Sequence, residues 1–457
     1  MTEMTISEHL AAFVCGLDRR SIPANVWQKA QNCLLNGYGI ALAGLGTPYE
    51  PVARAAARAM YGPAAESTLL GSGEKGPAAA AILANGALFH GRGQEDSCGA
   101  AHLGAVLIPL LAALIESGRA NASEFIPALV AGYEVGGLFE ELLAVDTTPA
   151  GFRATTIYGA GAAAAAVARL YGLSPGQTAA ALGNAVSFSG GLLQTFAEGT
   201  DEWRYQVGAT AQAGWTSAEL AKAGSVSIRE PYEGPKGLAR AFAGRSLGVG
   251  EAVEKIGRNW QTLRVAFKPF PVCAFNQTPV TSALRLRQMI AGRPIASVAV
   301  RMNPYECGYA GMDSKGPFST ISGTLMSIPF CIASTLLRGA PSMKMMTVYD
   351  DAEISSLVEK IDLIAEPSVA VLSCRIDVTL AEGRTVSDEC VMTPSDYAYD
   401  FEELVRRLRA TVAQEGLPEE SVDILAGYCA APETTPMSNL FRAFALARAG
   451  LKQRKSA

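Results

Sequence analysis

Two of the three histidines in this 457-residue chain fall inside one thirteen-residue stretch, HGRGQEDSCGAAH, residues 90–102. An imidazole titrates near pH 6.5, so a histidine sheltered from water is a natural proton carrier. Within the stretch, Asp96 is placed to orient His102 and Ser97 to donate to a substrate carboxylate. Two further segments carry chemistry of the same kind. Gly199–Gln206 sets Arg204, flanked by Trp203 and Tyr205, in a polar break inside an apolar helical region. Lys268-Pro-Phe-Pro-Val-Cys273 sets a lysine where the residue pattern changes. Polar residues in breaks between packed elements are functional more often than those on exposed helix faces. Each of these residues also has a plainer reading: helix-end histidines, an N-capping Asp96, a salt bridge at Lys268, a surface charge at Arg204.

Two other motifs carry less. Gly159-Ala-Gly161 followed by Ala164 fits a loose dinucleotide-binding pattern, but that fingerprint needs a preceding strand and an acid about twenty residues on. The neighbourhood is alanine-rich and helical, so the glycines read as close helix packing. Cys98 and His102 have a chelating spacing without a second pair of ligands, and no metal or organic cofactor is called for.

The elements that position these residues follow from periodicity. Apolar residues at helical spacing predict helices over Val26–Ala41, Pro51–Met60, Ala78–Phe89, Val106–Ser117, Ser123–Leu142 and Ala160–Tyr171. Ser174, followed by Pro175, predicts the start of another. Near Lys268 the pattern changes. Ile295–Met302 and Val369–Leu380 alternate as strands, and the second meets Thr385–Met392 across a turn at Ala381–Arg384. Ile321–Leu337 reads as a helix between them, and helices return from Tyr399. The expected architecture is mainly α: a large helical domain from 1–267 and 399–457, with a smaller α+β lid domain, 268–398, inserted.

With 38 Lys and Arg against 43 Asp and Glu, and a basic run confined to the tail Lys452–Lys455, no nucleic-acid face is expected. Apolar runs such as 159–169 are too short to span a bilayer, so no membrane partner is expected. Nine dispersed cysteines without a CxxC pair suit a reducing compartment, and the chain reads as cytoplasmic.

In order along the chain, several segments together resemble the MmgE/PrpD family. They are Asn85-Gly86 with His90, Asp96-Ser97, His102–Val106, Gly132-Tyr-Glu-Val135, Gly151-Phe-Arg153, the alanine-rich helix, Gly199-Thr200, Tyr232-Glu-Gly234 and Lys268-Pro-Phe-Pro. The resemblance implies a helical body with a lid, an active site between them, a homodimer, and chemistry on a carbon next to a carboxylate. Where the family commonly has acid/base groups, this chain has Gly93, Arg153, Trp203-Arg204-Tyr205-Gln206, Gln277 and Phe330.

His102 with Asp96 is then the expected base. Lys268, Arg204 and Arg153 are expected to neutralise carboxylates of a small polycarboxylate, with Tyr205 and Gln277 also on substrate. Lys268, Tyr158 and Tyr205 are candidates for the opposite face of the carbon. With several acid/base groups replaced, proton removal and return without loss of a group is the economical expectation. That is a cofactor-independent epimerase of the iminodisuccinate type. The alternatives are a 2-methylcitrate dehydratase-like or cis-aconitate decarboxylase-like lyase, or a non-catalytic polycarboxylate-binding protein.

Overall fold

Helices form where the apolar spacing places them. The computed structural model describes residues 3–456, with side chains to 453. Residues 1, 2 and 457, and the side chains of Arg454 and Lys455 in the basic tail, therefore lie outside what is described. Helices run over Ala24–Ala43, Tyr49–Tyr61, Ala78–Phe89, Gly104–Glu116, Phe125–Thr147, Gly159–Leu170, Pro175–Ser187 and Glu202–Lys222, and again over Phe401–Gln414, Glu420–Cys429 and Ser438–Ser456. Ser174 caps its helix in both directions: its hydroxyl accepts from the Gln177 N–H, and the Gln177 side chain accepts from the Ser174 N–H at 3.1 Å. No helix among the described residues is long and apolar enough to cross a membrane.

The chain divides into two units. One comprises Met1–Gly191, Arg204–Phe267 and Tyr399–Ala457; the other comprises Leu192–Trp203 and Lys268–Ala398. The first is all-helical apart from two-residue strand pairings. Its core is built on small residues. Ala160 and Ala162–Ala168 are all buried to 1% exposure or less, and a methyl group on Gly214 would lie 2.3 Å from the Ala163 Cβ. Small side chains let these helix backbones approach closely, which is why the stretch is rich in alanine and glycine. The Gly159-Ala-Gly161 run is the first turn of this buried helix.

The second unit is α+β. A four-stranded sheet has the order Ile361–Ala365, Ile295–Met302, Ser373–Leu380, Thr385–Val391, the first pair parallel and the others antiparallel. Register sets Val298 against Val378, Val300 against Ile376 and Met302 against Cys374, all buried, so one face of the two central strands is a continuous apolar row. The segment 192–203 packs here through a chain of hydrogen bonds, Trp203 Nε1 to Ser322 Oγ (3.1 Å) and Ser322 to Asp201 (2.9 Å).

Three expectations are corrected. The helix read over Ile321–Leu337 is two, Ile321–Met326 and Ile328–Arg338. Pro329 cannot continue the first helix, and Ser327, in an extended conformation, caps the second through the Phe330 N–H. The strand read from Val369 begins at Ser373, because Leu372 takes a left-handed φ of 60°. The strand Ile361–Ala365 was not anticipated; it is largely exposed and lacks a buried row.

Leu372 is held by a titratable group. Its N–H donates to Glu306 Oε1 at 3.0 Å, and Glu306 is fully buried. Burial raises that carboxyl from 4.5 to about 7, against the smaller opposing effect of the Leu372 bond. Its stabilisation is therefore complete below about pH 4.5 and is lost as pH rises through 7. Glu306→Gln keeps an acceptor for Leu372 without the charge. In urea unfolding, this variant should match the parent at pH 4.5 and exceed it at pH 8, by up to roughly 3 kcal/mol. Equal stability at pH 8 would refute the assignment.

Candidate active site

The histidine-rich stretch spans the gap between two buried helices. His90 ends the helix Ala78–Phe89, and Gly104 begins the next. Between them Asp96 and Ser97 pair antiparallel with Phe267 and Ala266, and Cys98 and Ala101 close a tight turn through N–H···O bonds of 2.8 and 3.1 Å. Gly99 in that turn has a φ of 58°, and a side chain there would run into the Glu140 carboxylate. Glu140 accepts from the Ala100 N–H (2.9 Å) and pairs with Arg264 (3.0 Å). The loop is thereby a rigid strap rather than a free connection.

His102 is the most accessible ionisable group of this cluster, its side chain 15% exposed. Its Nδ1 lies 2.8 Å from the Asp96 backbone carbonyl. A carbonyl only accepts, so Nδ1 carries the proton and the lone pair is on Nε2. Glu95 Oε1 lies 3.6 Å from the same Nδ1. The His102 N–H donates to Thr155 Oγ1 at 3.0 Å, fixing the backbone as well.

The sequence reading assigned the orienting role to the Asp96 carboxylate. The geometry assigns it to the Asp96 carbonyl. The carboxylate itself accepts from the Gly104 N–H (3.1 Å) and from the Tyr133 hydroxyl, tying the loop to the start of the following helix. Burial and the adjacent Asp96 push the Tyr133 hydroxyl far above its ordinary range, so it stays a donor. Lys29, 7% exposed, lies over the Phe267 ring at 4.2 Å and within Coulombic range of Asp96; burial lowers its ammonium.

The sequence marked His90 as one of the two histidines of the stretch but gave no individual role to it or to Glu95. His90 is fully buried, with Nδ1 3.0 Å from Glu95 Oε2 and Nε2 2.6 Å from Arg153 Nη2. A guanidinium only donates, so His90 Nε2 accepts and Nδ1 carries the proton. The signal that could have found them was the pair of histidines bracketing adjacent acids.

Other assignments change in kind. Arg153, 1% exposed, is engaged by His90 and by Gln206 Oε1 (2.9 Å), so it braces the cluster where a substrate contact was expected. Arg204 is neither a surface charge nor presented to solvent. It is fully buried, with Nε donating to the Gly91 carbonyl (3.3 Å) and its guanidinium 3.8 Å from the Tyr49 ring centre. The Tyr158 hydroxyl shares a 2.6 Å hydrogen bond with Thr147, and the ring is buried. Ser97 donates to the Gly99 carbonyl, and Tyr205 is half-buried at the start of its helix. Burial raises the Cys98 thiol out of any reactive range.

In the second unit Lys268 is 7% exposed and begins the Pro-Phe-Pro loop. Gln277, expected on substrate, braces that loop. Its Oε1 accepts from the Phe270 N–H (3.1 Å), and its Nε2 donates to the Phe270 and Val272 carbonyls (both 3.0 Å). An amide with one acceptor and two donors is thereby satisfied locally. Among the described residues no group of three or more His, Cys, Asp or Glu is placed to hold a metal.

Fold and cluster together define a mainly helical protein class with a strapped imidazole–carboxylate centre in its helical unit. Residues 8–247, more than half of the chain, match the MmgE/PrpD N-terminal domain, and the chain belongs to the MmgE/PrpD family. It is similar to the cis-aconitate decarboxylase-like protein oryM of Aspergillus oryzae, 26% identical over 422 residues, 85% of this chain and 86% of that protein. The cis-aconitate decarboxylase of Aspergillus terreus is 26% identical over 376 residues, covering 76% of this chain and 74% of its own. The human cis-aconitate decarboxylase is 24% identical over 405 residues, covering 84% and 82%.

Proposed function

We propose that this chain is a lyase acting on a small polycarboxylate, with decarboxylation of a cis-aconitate-like acid as its reaction. The observation that carries the reading is the fixed tautomer of His102, whose Nε2 lone pair can take up or deliver one proton. In decarboxylation the bond between carbon and carboxylate breaks, CO2 leaves, and the electron pair stays on a carbon conjugated with the remaining carboxylate. Protonated His102 then supplies the proton that closes that carbon. Cations stabilise the charge that develops meanwhile. Lys268, the residue after the Asp96 strand partner Phe267, is assigned to a substrate carboxylate. The names of the relatives favour this reading over the epimerisation suggested by the replaced acid/base positions.

Epimerisation is the second reading, and one observation favours it. Arg153 and Gln277, at two positions where the family's lyases commonly have histidine, make structural hydrogen bonds. That leaves a chemistry built on one imidazole.

Proton NMR in D2O separates the readings. With cis-aconitate, the expected result is substrate loss, CO2 release and one deuterium on the product carbon. An alkene formed from 2-methylcitrate would move the assignment to a dehydratase. Deuterium entering iminodisuccinate with inversion would establish the epimerase instead. No exchange with any of the three would reject all of these catalytic assignments.

A further inference from the structure

A cleft of about 880 Å³ lies wholly within the α+β unit. The ends of the helices Gln277–Ile290 and Ile328–Arg338 form part of its wall, together with the helix Ala352–Val358. Its buried lining is apolar, with Ile290, Leu336 and Leu357 all at most 5% exposed. Its charged lining is Arg287, Arg293, Arg338 and Lys360 against a single acid, Glu353. That excess of cations stands out in a chain with 43 Asp and Glu against 38 Lys and Arg.

Two of the four cations are already engaged by the fold. Ala291 (φ 49°) and Gly292 (φ 76°) turn the chain sharply, and Arg293 returns to the end of the first helix. Its Nε donates to the Ile290 carbonyl at 2.9 Å and its Nη2 to the Met289 carbonyl at 2.7 Å, so it satisfies carbonyls that the helix itself leaves open. Arg338 Nη2 donates to Asp351 (2.7 Å) and to Glu353 (2.6 Å), which accounts for the one acid of the lining. The other two cations have no acid. The Arg287 guanidinium makes no hydrogen bond or ion pair among the described residues, and Lys360 Nζ reaches only the Ile295 carbonyl, at 3.5 Å. Complementing a helix dipole would explain a cation in the last turn at Arg287. It would not explain Lys360, which lies between a helix and a strand.

A guanidinium takes phosphate oxygens in pairs and an ammonium holds them as a point charge, while a buried apolar wall receives an organic body. The cleft is of the size that encloses a cofactor-sized molecule, far larger than a lone phosphate needs. We propose that it binds a nucleoside triphosphate, with the phosphates on Arg287 and Lys360 and the base and sugar against Ile290, Leu336 and Leu357. No residue of the cleft belongs to the 90–102 strap, so the proposal does not rest on the lyase reading.

Isothermal titration of the full-length protein with ATP tests it. Binding in the micromolar range is expected at low salt, weakening as salt is added because the cations are exposed. The double variant Arg287→Glu, Lys360→Glu should weaken binding by at least about tenfold, since each change sets a like charge against the phosphates. Lys344→Glu, also exposed and in the same unit but outside the cleft, should leave binding within about twofold of the parent, because its charge acts only through screened solvent. A thermal melt checks that the double variant is folded; if it is not, Arg287→Gln alone should still weaken binding several-fold. Tripolyphosphate should bind more weakly than ATP, and adenosine should not displace ATP. No binding of ATP or GTP at millimolar concentration, an equal loss in Lys344→Glu, or tripolyphosphate binding as tightly as ATP would each overturn the proposal. The readout is binding without turnover, so it stands whether or not the lyase assay succeeds.

Discussion

Replacing His102 with Asn is expected to remove 10²–10⁴-fold from kcat, about the contribution of a positioned general acid–base group, while leaving the fold intact. The side chain is 15% exposed and lies on a strap anchored elsewhere, by the pairing of Asp96 with Phe267 and by the bond from the His102 N–H to Thr155. Asn can still donate to the Asp96 carbonyl, so the loop retains its shape, but it cannot take up a proton at Nε2. KM should move much less than kcat, because the imidazole is assigned to proton transfer and Lys268 to binding. Turnover of the best substrate and a thermal melt measured on the same preparation check both halves. A variant with more than a tenth of the parent kcat would show that the proton travels by another group.

Removing the Asp96 carboxylate is expected to cost more in stability than any other single truncation in the strap. Asp96→Ala leaves the Tyr133 hydroxyl and the Gly104 N–H as buried donors without their acceptor, each worth about 1–3 kcal/mol. It also removes the anion that partly offsets the buried Lys29 ammonium. The two orphaned donors together set a loss of about 2–6 kcal/mol, which urea unfolding should show. Asp96→Asn, which keeps one acceptor, should lose less. In Asp96→Asn the backbone carbonyl that orients His102 survives, so kcat should fall by a smaller factor than in His102→Asn. The opposite pattern, with kcat lost and stability unchanged, would restore the carboxylate to the role the sequence suggested for it.

Local physics made much of the architecture legible before any coordinates. Apolar spacing located the helices of both chain ends, Ser174 and Pro175 announced a helix start, and the residue patterns at 295–302 and 385–392 announced strands, because each of these signals acts within a few residues. The same sequence also singled out the strap, since its histidines and acids are adjacent along the chain, and it carried the family resemblance in ordered segments. The strand Ile361–Ala365 could not be read, because an exposed edge strand has no buried row to leave a pattern. The break at Ser327 was obscured by apolar residues on both sides of it.

What only the tertiary structure decided was the partner of each polar group. Asp96, Arg153, Arg204 and Gln277 are residue types that suit a substrate carboxylate or a catalytic histidine, and nothing along the chain says otherwise. Folding brings Tyr133 and the helix start at Gly104 to Asp96, His90 and Gln206 to Arg153, Tyr49 and Gly91 to Arg204, and the Pro-Phe-Pro carbonyls to Gln277. Each donor or acceptor in a dry interior must be satisfied by whatever the fold supplies, at a cost of kilocalories if it is not. Residue type along the chain therefore determined which groups could do chemistry. Three-dimensional proximity determined that Glu95 and a backbone carbonyl, rather than the Asp96 carboxylate, stand behind His102.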